Sequence, residues 1–113
     1  MSGQANTRSS FGRDIHYGVI EQGGAGTTQL VAADSTRHIR VVSYVVVLDA
    51  TGTMKFADGA GNLSGAMPIS ATGGIVAPPC DEKAWVETAI NSALSIVTTG
   101  GGAHGHFSYV LEP

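Results

Sequence analysis

From residue 14 onward, short apolar, β-branched stretches alternate with clusters of glycine, proline, asparagine and aspartate. "DIHYGVI" sets Ile15, Tyr17 and Val19 against His16 and Gly18, the period of two expected of a strand. "EQGGAGTT" breaks the pattern as a loop, "TQLVAA" resumes it, and "ADSTR" turns again. "TMKFADG" puts Met54 and Phe56 on one face and Lys55 on the other. "GAGNLSGAMPIS" is irregular, and "ATGGIVAPP" is a short apolar segment bounded by glycines and prolines. "AWVETAI" alternates Trp85, Glu87 and Ala89 with Val86, Thr88 and Ile90. "SALSIVTTG" turns Leu94 and Ile96 inward, and "AHGHFSYVLE" closes the chain. These segments predict about eight strands with turn signals about every ten residues, an antiparallel β-sandwich or jelly roll. A helical alternative exists for "CDEKAWVETAINSALSIV", where Asp81 and Glu82 come early and Trp85, Ala89 and Ala93 fall at helical spacing. Thr88, the Asn91-Ser92 pair and the strand-like "SIVTTG" favour the strand reading.

The longest segment, "RHIRVVSYVVVLDA" at residues 37–50, departs from clean alternation. Strict alternation gives one face His38, Arg40, Val42, Tyr44, Val46 and Leu48. It gives the other Ile39, Val41, Ser43, Val45 and Val47, so both faces are apolar from Val41 onward. A small antiparallel sheet ordinarily buries one face and wets the other. At roughly 3.3 Å per residue the segment extends about 43 Å, more than the roughly 34 Å diameter of a domain this size. A bend is expected, and Ser43 is the small polar residue in place for it. The second apolar face is expected to be covered by another copy of the chain, with Val41, Val45 and Val47 at that contact.

Composition narrows the class. With 113 residues there is room for one domain, read as an N-terminal arm at residues 1–14 and a single β-sandwich at 15–113. The arm is polar apart from Phe11, which is its candidate anchor on a partner. Sixteen glycines and a charged fraction of 13% suit a turn-rich chain with an apolar exterior. The net charge of −3, with six scattered Lys and Arg, speaks against a nucleic-acid partner. No apolar run is long enough to form a membrane-spanning helix, and the opening "MSGQANTRSSFGRD" has no apolar core of a signal peptide. A single cysteine, Cys80, forms no disulfide within the chain, which fits synthesis in a reducing cytoplasm.

Candidate chemistry is sparse. In "AHGHF", His104 and His106 share a strand face, as an HxH metal pair does. The following Glu112 invites comparison with the cupin pattern, but its spacing from His106 is too long and no third ligand is fixed nearby. Asp34, Asp49 and Asp58 sit in turns, where short carboxylates bond to backbone. "GGAG" and "TGGGAHG" lack the Gly-Lys-Ser/Thr ending of a phosphate loop. No enzyme, metal or cofactor is read from these residues.

Four stretches taken in order, "HIRVVSYVVV", "MKFADGAGNLSGAMPISATGGIVAPP", "AWVETAINSALSIVTT" and "HGHFSYVLEP", resemble small tailed-phage virion proteins of the capsid decoration (cement) type. The resemblance covers about residues 36–112. It implies a β-sandwich or jelly-roll subunit that binds the assembled head lattice as a homotrimer. The implied partners are its own copies and the major capsid protein, and the implied place is the capsid surface after synthesis in the host cytoplasm. The alternatives are a tail or fibre module binding a host-surface glycan, and a cupin-like protein centred on His104 and His106.

Overall fold

The computed structural model describes residues 7–8, 14–80 and 83–113. The chain is all-β. Its strands are β1 (Thr7–Arg8), β2 (Asp14–Glu21), β3 (Gly26–Val31), β4 (His38–Leu48), β5 (Gly52–Asp58) and β6 (Gly61–Asn62). There follow β7 (Met67–Ile69), β8 (Gly74–Ala77), β9 (Val86–Glu87), β10 (Leu94–Thr99) and β11 (Ala103–Glu112). The described part of the segment at residues 80–97 is not a helix. It forms β9 and β10, joined by a turn in which Asn91 takes a left-handed φ of 61°.

All pairings are antiparallel and build two sheets packed as a sandwich. Sheet A is six-stranded in the order β9-β4-β11-β2-β1, with β8 beside β9 along the same edge of β4. Sheet B runs β3-β10-β5-β6, with β7 also on β5. Sheet A contributes Ile20, Ile39, Tyr44, Val46, Leu48 and Phe107 to the core; sheet B contributes Met54, Phe56, Leu94 and Ile96. Tyr44 meets Phe56 edge-on between the sheets, ring centroids 4.9 Å apart. Each such side chain contributes on the order of 1.5–3 kcal/mol by leaving water.

Strand β4 departs from strict alternation because it carries a bulge. Ser108 of β11 lies opposite Ser43, and Tyr109 lies opposite Val41, so Val42 is an extra residue. An extra residue shifts which positions face inward. Ile39 and Val41 face the core before the bulge; Tyr44, Val46 and Leu48 face it afterwards. The bend therefore falls at Val42, beside the Ser43 expected for it. The expectation that Val41 shares a face with Val45 and Val47 is corrected by the same bulge: Val41 is fully buried in its own core.

Two glycines set how closely the strands of sheet A approach. The Phe107 ring lies across Gly18, where a Cβ would come within 2.4 Å of its Cζ. Gly105, with φ of 154°, sits so near β4 that a Cβ would lie 1.9 Å from the Val45 carbonyl oxygen.

Candidate functional site

The face of sheet A turned away from the core is defined by register. Residues directly opposite on antiparallel strands share a face. The central row is Val19 (β2), His106 (β11), Val45 (β4) and Val76 (β8). One row away lie Tyr17, Ser108 and Ser43; on the other side lie Glu21, His104, Val47 and Gly74. Exposure is high for large apolar side chains: Tyr17 64%, Val19 75%, Val76 68% and Val47 38%. Val45 is half-buried and His106 is exposed. The two serine hydroxyls of the patch, Ser43 and Ser108, hydrogen-bond to each other.

Charge is confined to the two ends of this face. At one end Arg40 joins two carboxylates across neighbouring strands. Its Nη1 donates to Glu112 Oε1 at 2.6 Å, and its Nε stands 3.2 Å from Glu87 Oε1 without hydrogen-bond alignment. His38 Nδ1 donates to the Thr88 carbonyl at 2.7 Å and lies 3.3 Å from Glu87 Oε2. A carbonyl only accepts, so this nitrogen carries the proton. At the other end His104 Nε2 donates to Asp49 Oδ2 at 3.0 Å, and the Gly102 N–H donates to Asp49 Oδ1 at 2.9 Å. These two bonds, the His104 one first, hold the Asp49 carboxyl below its ordinary range.

The polar residues picked from sequence divide plainly. Asp34 and Asp58 serve turns: Asp34 accepts from the Thr36 N–H, and Asp58 accepts from the N–H groups of Ala60, Gly61 and Ala89. Asp58 and His38 border an open cleft of about 370 Å³, in which the Asp58 carboxylate is already occupied by backbone donors. His104 and His106 share the outer face as expected, but His104 is engaged by Asp49 and His106 lies between Val19 and Val45. Among the described residues no group of three or more His, Cys, Asp and Glu side chains forms a metal-holding cluster. Phe11 lies outside the described residues.

Of the contact residues expected from sequence, Val45 and Val47 belong to the outer face and Val41 does not. Tyr17, Val19 and Val76 belong to it and were not singled out. Their signal was present in "DIHYGVI" as the apolar side of an alternating strand, which by itself does not say which side faces the core. Ile20 is the one β2 residue wholly buried in the core. Trp85, expected on a strand, precedes β9 in a bend and is 48% exposed, its Nε1 donating to the Pro78 carbonyl.

Comparison of the chain with family models, with curated proteins and with solved structures returns no match.

Proposed function

We propose that the chain is a structural subunit of a tailed-phage particle, a homotrimer that cements the head lattice by binding the major capsid protein. The observation that carries the structural part is the outer face of sheet A, where Tyr17, Val19, Val47 and Val76 stand exposed on rigid strands. Exposed apolar surface of this extent on a paired sheet marks a contact with other protein. The phage-head part is supported by the sequence resemblance over residues 36–112. A cement subunit adds contact area to an assembled shell that the bare shell lacks, and stabilises it by mass action. It needs a stiff scaffold and contact faces, which two hydrogen-bonded sheets with one apolar exterior supply.

Native mass measurement of the purified chain tests the oligomer; three times 11.5 kDa is expected, and a monomer at micromolar concentration removes it. Labelling intact particles with antibody to this chain tests the location, with signal expected over heads. Signal confined to tails favours the second reading, a glycan-binding module, which the exposed Trp85 ring supports.

A further inference from the structure

We infer that the cleft between the two sheets, bordered by His38, Asp58, Asn62, Leu63 and Glu87, binds one neutral sugar ring of a glycan through its hydroxyls. The inference goes beyond the assembly role and does not depend on it. The surface concerned lies at the charged end of sheet A, apart from the apolar outer face.

The cleft spans the seam of the sandwich. His38 and Glu87 come from β4 and β9 of sheet A, whereas Asp58, Asn62 and Leu63 come from β5, β6 and the residue after β6 in sheet B. Its walls are tied together by hydrogen bonds. The Asp58 carboxylate accepts from the N–H groups of Ala60 and Gly61 in its own turn and from that of Ala89 across the seam. The Gly59 N–H donates to Ser92 Oγ. Thr88 is pinned to β4 twice, its N–H donating to the Ile39 carbonyl and its hydroxyl oxygen accepting from the Ile39 N–H. A ligand therefore meets a site that is already formed. Its volume of about 370 Å³ falls within the roughly 300–1,000 Å³ of small-molecule clefts.

What the walls leave unbonded decides what the cleft takes. His38 Nδ1 is engaged by the Thr88 carbonyl, so in the neutral ring Nε2 is left as an acceptor. Glu87 stands 3.3 Å from His38 Nδ1 and 3.2 Å from Arg40 Nε, yet accepts an aligned hydrogen bond from neither. The Asn62 amide is exposed and has no partner among the described residues. Two of these three groups only accept, and among the described residues no Lys or Arg lines the cleft. The ligand must therefore bring donors. One that carries a carboxylate or phosphate meets Glu87 and Asp58 and is repelled. A full cation finds Arg40 already beside Glu87. A bare metal ion finds no group of three or more His, Cys, Asp and Glu side chains among the described residues able to hold it. Hydroxyls remain, and Leu63, Ala60 and Ala89 give the C–H face of a sugar ring an apolar wall. The open side of the cleft lets the rest of the glycan run into solvent.

Nuclear magnetic resonance titration of the isotope-labelled full chain with the methyl glycosides of glucose, galactose and mannose tests this. At least one is expected to shift the amides of Asn62, Leu63 and Ala89, with half-saturation at about 1–10 mM. The uronic acids and phosphate esters of the same sugars are expected to bind at least about tenfold more weakly. Asn62→Ala should weaken binding by up to about tenfold. Ala89→Trp, which fills the cleft from an exposed position, should keep a dispersed spectrum and lose the shifts. Trp85→Ala should bind as the parent does. No shift from any of the three glycosides at about 100 mM overturns the site. Shifts centred on Trp85 and Lys83, and lost in Trp85→Ala, place the sugar elsewhere and overturn it too. Equal binding of the acidic sugars overturns the choice of a neutral ligand. Assembly is read separately, by native mass, so failure here and failure of the cement role are distinguishable.

Discussion

The two exterior faces of the sandwich are built from the same kind of strand and finished in opposite ways. Outside sheet B the rows read Thr27, Val97, Lys55, then Gln29, Ser95, Ala57, then Thr99 and Thr53. Hydroxyls dominate there, and Thr53 and Thr99 bond to each other at 2.7 Å. Outside sheet A the central rows read Val19, His106, Val45, Val76 and Tyr17, Ser108, Ser43. Sheet B is finished for water, the usual fate of one side of an antiparallel sheet. Sheet A keeps Tyr17, Val19, Val47 and Val76 exposed on its outer side. Solubility and β-propensity alone do not explain this, since threonine serves both on sheet B. The difference is what supports the contact face proposed for sheet A.

The largest test of that contrast sits on β4 itself. Val41→Asp places an unpaired carboxylate in the core and should abolish the folded state, a loss of more than about 4 kcal/mol. Val47→Asp, on the outer face, should leave the domain's free energy of unfolding within about 0.5 kcal/mol of the parent in denaturant titration. Equal effects would mean that the bulge at Val42 does not sort the two residues as described. An intermediate effect is expected at the charged end of the same face. Arg40→Ala leaves Glu87 and Glu112 without the cation between them and should cost on the order of 1–2 kcal/mol in urea unfolding, allowing for partial solvent screening. Lys55→Ala, in the matching position outside sheet B, should cost less than about 0.5 kcal/mol.

The smallest effect is a pH term at the other end. The folded state lowers the Asp49 carboxyl below the 3.8 of a free side chain. Its contribution is therefore present above that value and is lost as pH falls through the still lower folded value. Asp49→Asn should melt below the parent at pH 6, and the gap should narrow as pH falls below 3.8 and the parent carboxyl takes up its proton. A gap that persists in acid would mean that the bonds from His104 and Gly102 do not depend on the Asp49 charge.

Much of this architecture was legible in residue order. Met54 and Phe56 against Lys55, and Leu94 with Ile96, took the faces their alternation predicts, because regular strands conserve parity. The class of fold followed from such segments and the turns between them. Two features were not legible. In β2 the apolar Tyr17 and Val19 point outward while Gly18 lies under Phe107, an orientation that the alternation alone does not assign. In β4 one bulged residue separated Val41 from Val45 and Val47. Of the expected contact set, Val45 and Val47 were readable because they follow the bulge in register.

The sequence alone determined that this chain makes short antiparallel strands, that its core is aliphatic with a few aromatic rings, and that more valine is present than one buried layer needs. Only the tertiary structure decided which valines are surplus. Whether a strand residue faces in or out depends on its register with the neighbouring strand, and register is set by contacts between segments far apart in the chain, here Ser43 with Ser108 and Val41 with Tyr109. A single extra residue between those pairs moves Val41 to the core and leaves Val45 and Val47 on the outer face.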